Sequence, residues 1–210
     1  MGHDDVLGEA FEQLHGYNPT KENRVSAYSH ITSLEEAARV VLQQTTGLTD
    51  DDHGGKTPQR FVSMLKELTT PEEFEFTVFP NTDKVDEIVT VANIPFVSLC
   101  NHHVVPFVGV AHVGYIPDQK IVGLSKFARV VRYYSKGLQV QERLTQQVAE
   151  YLMENLNPLG VAVIMEAEHM CMTIRGVQTP GTKTTTSAML GVFGEHDRTA
   201  KMEFMRLVGK

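Results

Sequence analysis

Cys100-Asn101-His102-His103 places two kinds of metal-ligating side chain within four residues. A thiolate and an imidazole three residues apart in a tight turn can face one ion. Zn²⁺ suits such a pair because it takes sulfur and nitrogen donors tetrahedrally at about 2.0–2.3 Å. A second concentration is His169-Met170-Cys171-Met172-Thr173-Ile174-Arg175. Read as a strand, it sends His169, Cys171, Thr173 and Arg175 to one face, and Met170, Met172 and Ile174 to the other, into apolar packing. A lone free cysteine is most often a small buried hydrophobe. Here the chain has only two cysteines and both lie near histidines, which favours one shared site. Cys100, His103 and Cys171 would supply three protein donors where a structural zinc site normally has four, so the fourth position would go to water. Zinc lowers the pKa of such a water from about 15.7 to about 7. His102 and His169 are then left as acid/base groups in the useful range. The set predicts a hydrolase.

Two further segments carry binding chemistry. In Gly123-Leu124-Ser125-Lys126-Phe127-Ala128-Arg129, Ser125 can cap a helix whose first-turn amides point outward, with Lys126 and Arg129 on one side of it. Helix N-termini bind phosphate through amide donors and the helix dipole, and cations strengthen the binding. The Walker pattern is absent. The plain alternative is a capped surface helix. In Leu138-Gln139-Val140-Gln141-Glu142-Arg143-Leu144, a carboxylate at a helix start can accept from N1 and the exocyclic amine of guanine, a pair of donors that adenine lacks. A glutamate that merely complements the helix dipole is the plainer reading of that segment alone.

The elements that must position these groups follow from periodicity. Ser33 and Glu36 form a capping box ahead of an apolar stripe of Leu34, Ala37, Ala38, Val41 and Leu42, and Gly47 ends the helix. A second helix starts at Thr57-Pro58, with Phe61, Met64, Leu65 and Leu68 on one face and a polar Asp50 to Gly55 loop before it. Strand-like runs begin near Val85: Ile88 to Val91, Phe96 to Leu99 and Val104 to Ile116, punctuated by Pro95, Pro106 and Gly109. Helical spacing returns over Ser125 to Ser135 and Val140 to Leu156, and Asn157-Pro158-Leu159-Gly160 breaks it. Strands are expected over Val161 to Arg175 and Thr184 to Phe193, then a helix over Asp197 to Val208. This order indicates an α+β protein, its helices covering one face of a largely antiparallel sheet.

The chain has 210 residues, 41% of them apolar, and a net charge of −7. That is enough to bury a core without disulfide staples. No run approaches the roughly 18 apolar residues of a membrane span, and the acidic start is unlike a secretory or transit peptide, so a cytoplasmic location is expected. Residues 1–52 hold ten acids against three bases, which accounts for the whole imbalance. Residues 1–24 read as a flexible acidic arm, a candidate contact for an unidentified regulatory protein. Residues 25–80 read as a helical region and 81–210 as the catalytic part. Lys120 to Arg143 carries six bases against Glu142 alone. A local positive field on an acidic chain fits a small polyanion rather than a nucleic-acid groove.

Together, Ser98-Leu-Cys-Asn-His-His103, Gly123-Leu-Ser-Lys126, Gln139-Val-Gln-Glu-Arg-Leu-Thr-Gln-Gln147 and His169-Met-Cys-Met-Thr-Ile-Arg-Gly176 resemble GTP cyclohydrolase I of the zinc-dependent type. The likeness covers roughly residues 33 to 208 and extends to Thr57-Pro58-x-Arg60 and Thr184-Thr-Thr-Ser187. It implies Zn²⁺ on Cys100, His103 and Cys171, and His102 and His169 as acid/base groups. It implies Gln141 and Glu142 on guanine, and Ser125, Lys126, Arg129 and Arg175 around ribose and triphosphate, Ser125 also assisting ribose opening. Leu124 and Val140 match substrate-contacting positions beside them, and Arg60 a phosphate contact from a neighbouring subunit. The implied reaction is attack on guanine C8 by a zinc-activated water with N7 protonated by His102, release of formate, and formation of 7,8-dihydroneopterin triphosphate for pterin biosynthesis. The implied fold is the tunnelling fold, assembled as a homodecamer with sites between subunits. Asn101 departs from the Cys-Glu-His-His of most members, and an acid-shifted pH profile is expected from the missing carboxylate. Two other readings compete: another pterin or deazapurine enzyme of this fold, and a catalytically weak, zinc-stabilised nucleotide-binding oligomer.

Overall fold

The computed structural model describes residues 32–194 and 199–210. The acidic arm expected over residues 1–24 lies outside the described residues. The chain divides into two compact units at Leu65 and Lys66.

In the first unit, helix α1 (Leu34–Thr46) starts where the Ser33 side chain accepts from Glu36 N–H. The Glu36 carboxylate closes the box one residue early, accepting from Thr32 N–H at 2.6 Å. Gly47 ends the helix in the left-handed region at φ 69°, where its N–H reaches Gln43 O. The following loop is knotted by Asp51, whose carboxylate accepts from the backbone of His53 and Gly54 and from the Thr49 hydroxyl. Helix α2 (Thr57–Thr69), whose last four residues fall in the second unit, carries Pro58 in its first turn, where the missing N–H breaks no bond.

The second unit is built on a five-stranded sheet in the order β5-β2-β3-β6-β7, formed by β2 (Val89–Cys100), β3 (Pro106–Ile116), β5 (Leu138–Gln139), β6 (Gly160–His169) and β7 (Lys183–Gly191). All pairings are antiparallel except the short parallel β2–β5 contact. Strands β1 (Val78–Pro80) and β4 (Lys120–Val122) form a separate two-stranded ribbon. Helices α3 (Ser125–Ser135) and α4 (Gln141–Leu156) cover one sheet face. Phe127, Val131, Leu144, Val148 and Leu152 from the helices meet Phe107, Val113, Val163 and Met165 from the sheet, all fully buried. Each such side chain is worth about 1.5–3 kcal/mol of burial. Phe74, Phe76 and Val78 pack against this core. The C-terminal helix α6 (Thr199–Leu207) sets Phe204 against Ala162, Ile164 and Phe193; Ala162 and Ile164 alternate with the core-facing residues of β6 and so mark the opposite sheet face.

Two strand expectations change. Residues 89–100 form one strand through Pro95, because β5 pairs only with Leu99 and Cys100 and leaves an open flank where a missing N–H is tolerated. The strand expected to run to Arg175 stops at His169, where a single helical turn, α5 (Met170–Thr173), takes over. Among the described residues no helix is long and apolar enough to cross a membrane.

Candidate metal centre and nucleotide site

Cys100 is the last residue of β2 and is buried, with its N–H bonded to Val105 O at 2.8 Å. The chain reverses at once: the N–H groups of His103 and Val104 both return to Cys100 O, and Val104 takes φ 54° to complete the turn. That turn sets His103 Nδ1 3.8 Å and His102 Nδ1 4.0 Å from Cys100 Sγ. The third donor arrives through the sheet. β3 pairs with β6 so that Phe107 lies opposite His169, and α5 then carries Cys171 back over the Cys100 turn. The donor atoms of Cys100, His103 and Cys171 lie within 4.8 Å of one another.

This donor set fits a soft divalent ion. Tetrahedral bonds of about 2.0–2.3 Å need donors roughly 3.3–3.8 Å apart, close to the sulfur–imidazole separation seen here. Burial, and then the facing Cys100 thiol, push the Cys171 thiol above its ordinary pKa. Two such thiols ionise together only beside a cation, and a metal supplies one.

The position of Cys171 corrects the alternation argument. It shares the site with His169 by way of a helical turn, and Ile174 is 62% exposed rather than packed. The turn is held by Glu168, whose carboxylate accepts from the Thr173 hydroxyl and from Gly181 N–H.

His169 is half-buried, its ring stacked on Phe107 with centroids 4.6 Å apart and planes 1° from parallel. Burial holds its pKa below the ordinary imidazole value, and the nearby Glu142 opposes that shift. Its Nε2 lies 2.8 Å from Gln141 Oε1. Gln141 opens α4 and is 1% exposed, whereas Glu142 beside it is exposed in the first turn. Val140 is the extended N-cap residue of that helix. Arg175 Nη1 lies 3.2 Å from His103 Nε2.

The basic segment lines a cavity of its own. Ser125, Arg129, Arg132 and Lys136 line a cavity of about 380 Å³ together with Phe74, Tyr133 and the carboxylates of Glu72 and Glu73. Ser125 is the first residue of α3 rather than its cap. Leu124 holds the cap position with helical angles and makes no side-chain capping bond. Lys126 donates through Nζ to Glu75 O at 2.7 Å. No residue of the sulfur–imidazole cluster lines this cavity. Arg60 is an exposed residue of α2 in the first unit.

The sequence model of the family described as GTP cyclohydrolase I matches residues 34–209. The chain belongs to the GTP cyclohydrolase I family. A GTP cyclohydrolase 1 of Synechococcus sp. strain JA-3-3Ab is 53% identical over 157 residues, covering 73% of this chain and 68% of that one. That of Sulfurihydrogenibium sp. strain YO3AOP1 is 46% identical over 178 residues, covering 83% and 93%. That of Dictyostelium discoideum is 39% identical over 203 residues, covering 94% and 86%. The α+β architecture, N-terminal helices followed by a largely antiparallel sheet backed by α3 and α4, is the tunnelling fold of this family. Sequence reasoning missed Phe107 as the platform for His169. The only signal for it was strand register, which a single sequence does not display.

Proposed function

We propose that this chain acts as a GTP cyclohydrolase I, hydrolysing GTP at guanine C8, releasing formate and forming 7,8-dihydroneopterin triphosphate. The observation that carries the reading is the convergence of Cys100, His103 and Cys171 next to His169, in a chain of this family. Two sulfurs and an imidazole favour Zn²⁺ over harder ions. When bound, the metal supplies Lewis acidity and makes water nucleophilic at neutral pH.

The chain's own groups do the rest. Glu142, exposed at the start of α4, accepts hydrogen bonds from guanine N1–H and the exocyclic amine. His102, whose Nδ1 lies 4.0 Å from Cys100 Sγ, holds the proton that guanine N7 takes as the five-membered ring opens. His169 and Ser125 move protons during ribose opening. Lys126, Arg129 and Arg175 hold the triphosphate, with Arg60 contributed from a neighbouring subunit, and so orient the base, while Leu124 and Val140 flank it. The sulfur–imidazole cluster and the basic cavity share no residue within one chain, which supports sites completed between subunits of a decamer. Residues 81–210 then supply every group of the site except Arg60. A cytoplasmic location and an unidentified regulatory protein at the acidic arm complete the reading.

Zinc-loaded protein mixed with GTP should release formate and develop a pterin chromophore in equal amounts. Binding of both zinc and GTP without formate release would leave the nucleotide-binding oligomer as the better description.

A further inference from the structure

Gln141 has no side-chain hydrogen left for a base. Its Nε2 lies 3.1 Å from Met165 O, 3.0 Å from Thr184 O and 3.1 Å from Thr186 Oγ1. Carbonyl oxygens only accept, so the amide orientation is determined: nitrogen toward the sheet, Oε1 toward His169. The two threonines close a ring around it. Thr145 Oγ1 donates to Gln141 O at 2.8 Å, which leaves Thr186 as the donor in the 2.6 Å contact between the two hydroxyls and as an acceptor from Gln141 Nε2. Each hydroxyl thus donates once and accepts once.

The consequence falls on His169. An amide oxygen cannot donate, so the 2.8 Å contact requires the hydrogen on His169 Nε2. We propose that Gln141, held by Thr186 and Thr145, is a positioning residue that commits His169 to its Nε2–H tautomer and leaves Nδ1 as the atom through which that histidine exchanges a proton. The proposal rests on the GTP cyclohydrolase activity proposed above. It replaces the expectation that the Gln141 side chain reads guanine, which then falls to Glu142. Phe107, stacked on the ring, holds the plane in which Nδ1 points.

The test uses full-length, zinc-loaded protein and steady-state GTP turnover. Gln141→Met keeps the volume and removes the acceptor, so kcat should fall by roughly 10- to 100-fold, the range that loss of an orienting partner costs at metal-ligating histidines. KM should stay within about twofold, because no contact to substrate is lost. Thr186→Val frees one amide hydrogen and should lower kcat by less, again with KM kept. Gln141→Glu restores an acceptor for Nε2–H while burying a charge against two carbonyls. It should therefore exceed Gln141→Met in kcat although it melts lower, an inversion that a purely structural role does not produce. A KM raised about tenfold with kcat retained, or kcat values that simply follow melting temperature, overturns the proposal. Should Gln141→Met fail to assemble, Thr186→Val decides it by the same criteria: a lowered kcat with KM kept supports the proposal, and a KM raised about tenfold with kcat retained overturns it. Wild-type protein without turnover overturns the activity and this inference with it, whereas active wild type with a KM-type Gln141→Met overturns the inference alone.

Discussion

Cys171 is a poor acid where it stands, because burial and the facing Cys100 both disfavour its thiolate. A cation reverses that preference, so the site should bind metal with release of protons and lose it when one sulfur is removed. Cys171→Ser is expected to retain less than about a tenth of the wild-type zinc and to lose formate release at least about 100-fold, the upper end of what outer-shell changes cost. Elemental analysis beside turnover checks this, and full zinc content in the variant would remove Cys171 from the ligand set. Glu142 makes the contrasting case, an exposed carboxylate proposed to read the base through its charge. Glu142→Gln should cost about 1.5–3 kcal/mol of charge-assisted hydrogen bonding, or roughly 10- to 150-fold in kcat/KM for GTP. An unchanged kcat/KM would place base recognition elsewhere. Both residue types were readable from sequence, since their chemistry is local. The company of His169 was not, because Phe107 reaches it only through strand register and the Thr145–Thr186 pair acts on it only by way of Gln141.

At the scale of elements, the β3–β6 ladder decides whether a site exists. Phe107 faces His169 only while Gly109 sits opposite Ala167, and a Cβ at residue 109 would fall 1.9 Å from Glu166 O and 2.7 Å from Ala167 Cα. Backbone cannot step aside cheaply there. Gly109→Ala should destabilise the protein by at least the 1–3 kcal/mol or so typical of overpacking, and should lower zinc content as His169 and α5 shift. A urea midpoint equal to wild type would contradict it. The helices were legible in the sequence because caps and 3.6-residue stripes are short-range signals: Ser33, Gly47 and Pro58 each act where expected. The turn at Met170–Thr173 was not. Alternating polar and apolar residues suit a strand, but the Glu168 carboxylate, the return of Ile174 N–H to Met170 O and the Thr173 hydroxyl on His169 O favour the helical turn.

Across the whole molecule, two couplings link stability to solution conditions. His112 lies on β3, 3% exposed, and neither ring nitrogen has a hydrogen-bond partner among the described residues. Burial pushes its pKa below the ordinary value, Lys210 adds to that shift and Glu166 opposes it. The folded form thus binds its proton less readily than the unfolded chain. The stability this group permits is full above the unfolded pKa of about 6.5 and is lost as pH falls below it toward the folded value. The melting temperature should therefore drop between about pH 7.5 and about pH 5.5. His112→Gln should show a smaller drop, and equal drops would clear His112 of the effect. Metal is the second coupling. An ion held by Cys100, His103 and Cys171 would tie the end of β2 to the turn after β6 and would stabilise the folded chain by mass action, about 4 kcal/mol when free metal exceeds its Kd a thousandfold. Chelation should lower the melting temperature measurably, and an unchanged melt would mean that the cluster is not loaded.

The sequence by itself determined the ligand types, the family, the α+β class and most helix boundaries, because these depend on side-chain chemistry and on signals within a few residues. The tertiary structure alone decided which groups meet. It brought Cys171 to Cys100 across 71 positions of chain, and it withdrew the Gln141 amide from solvent to face His169. It also left the basic cavity of α3 without a residue of the metal cluster. Those outcomes follow from strand register and from the satisfaction of buried hydrogen bonds, which are properties of residues far apart in the chain and are written in no single segment of it.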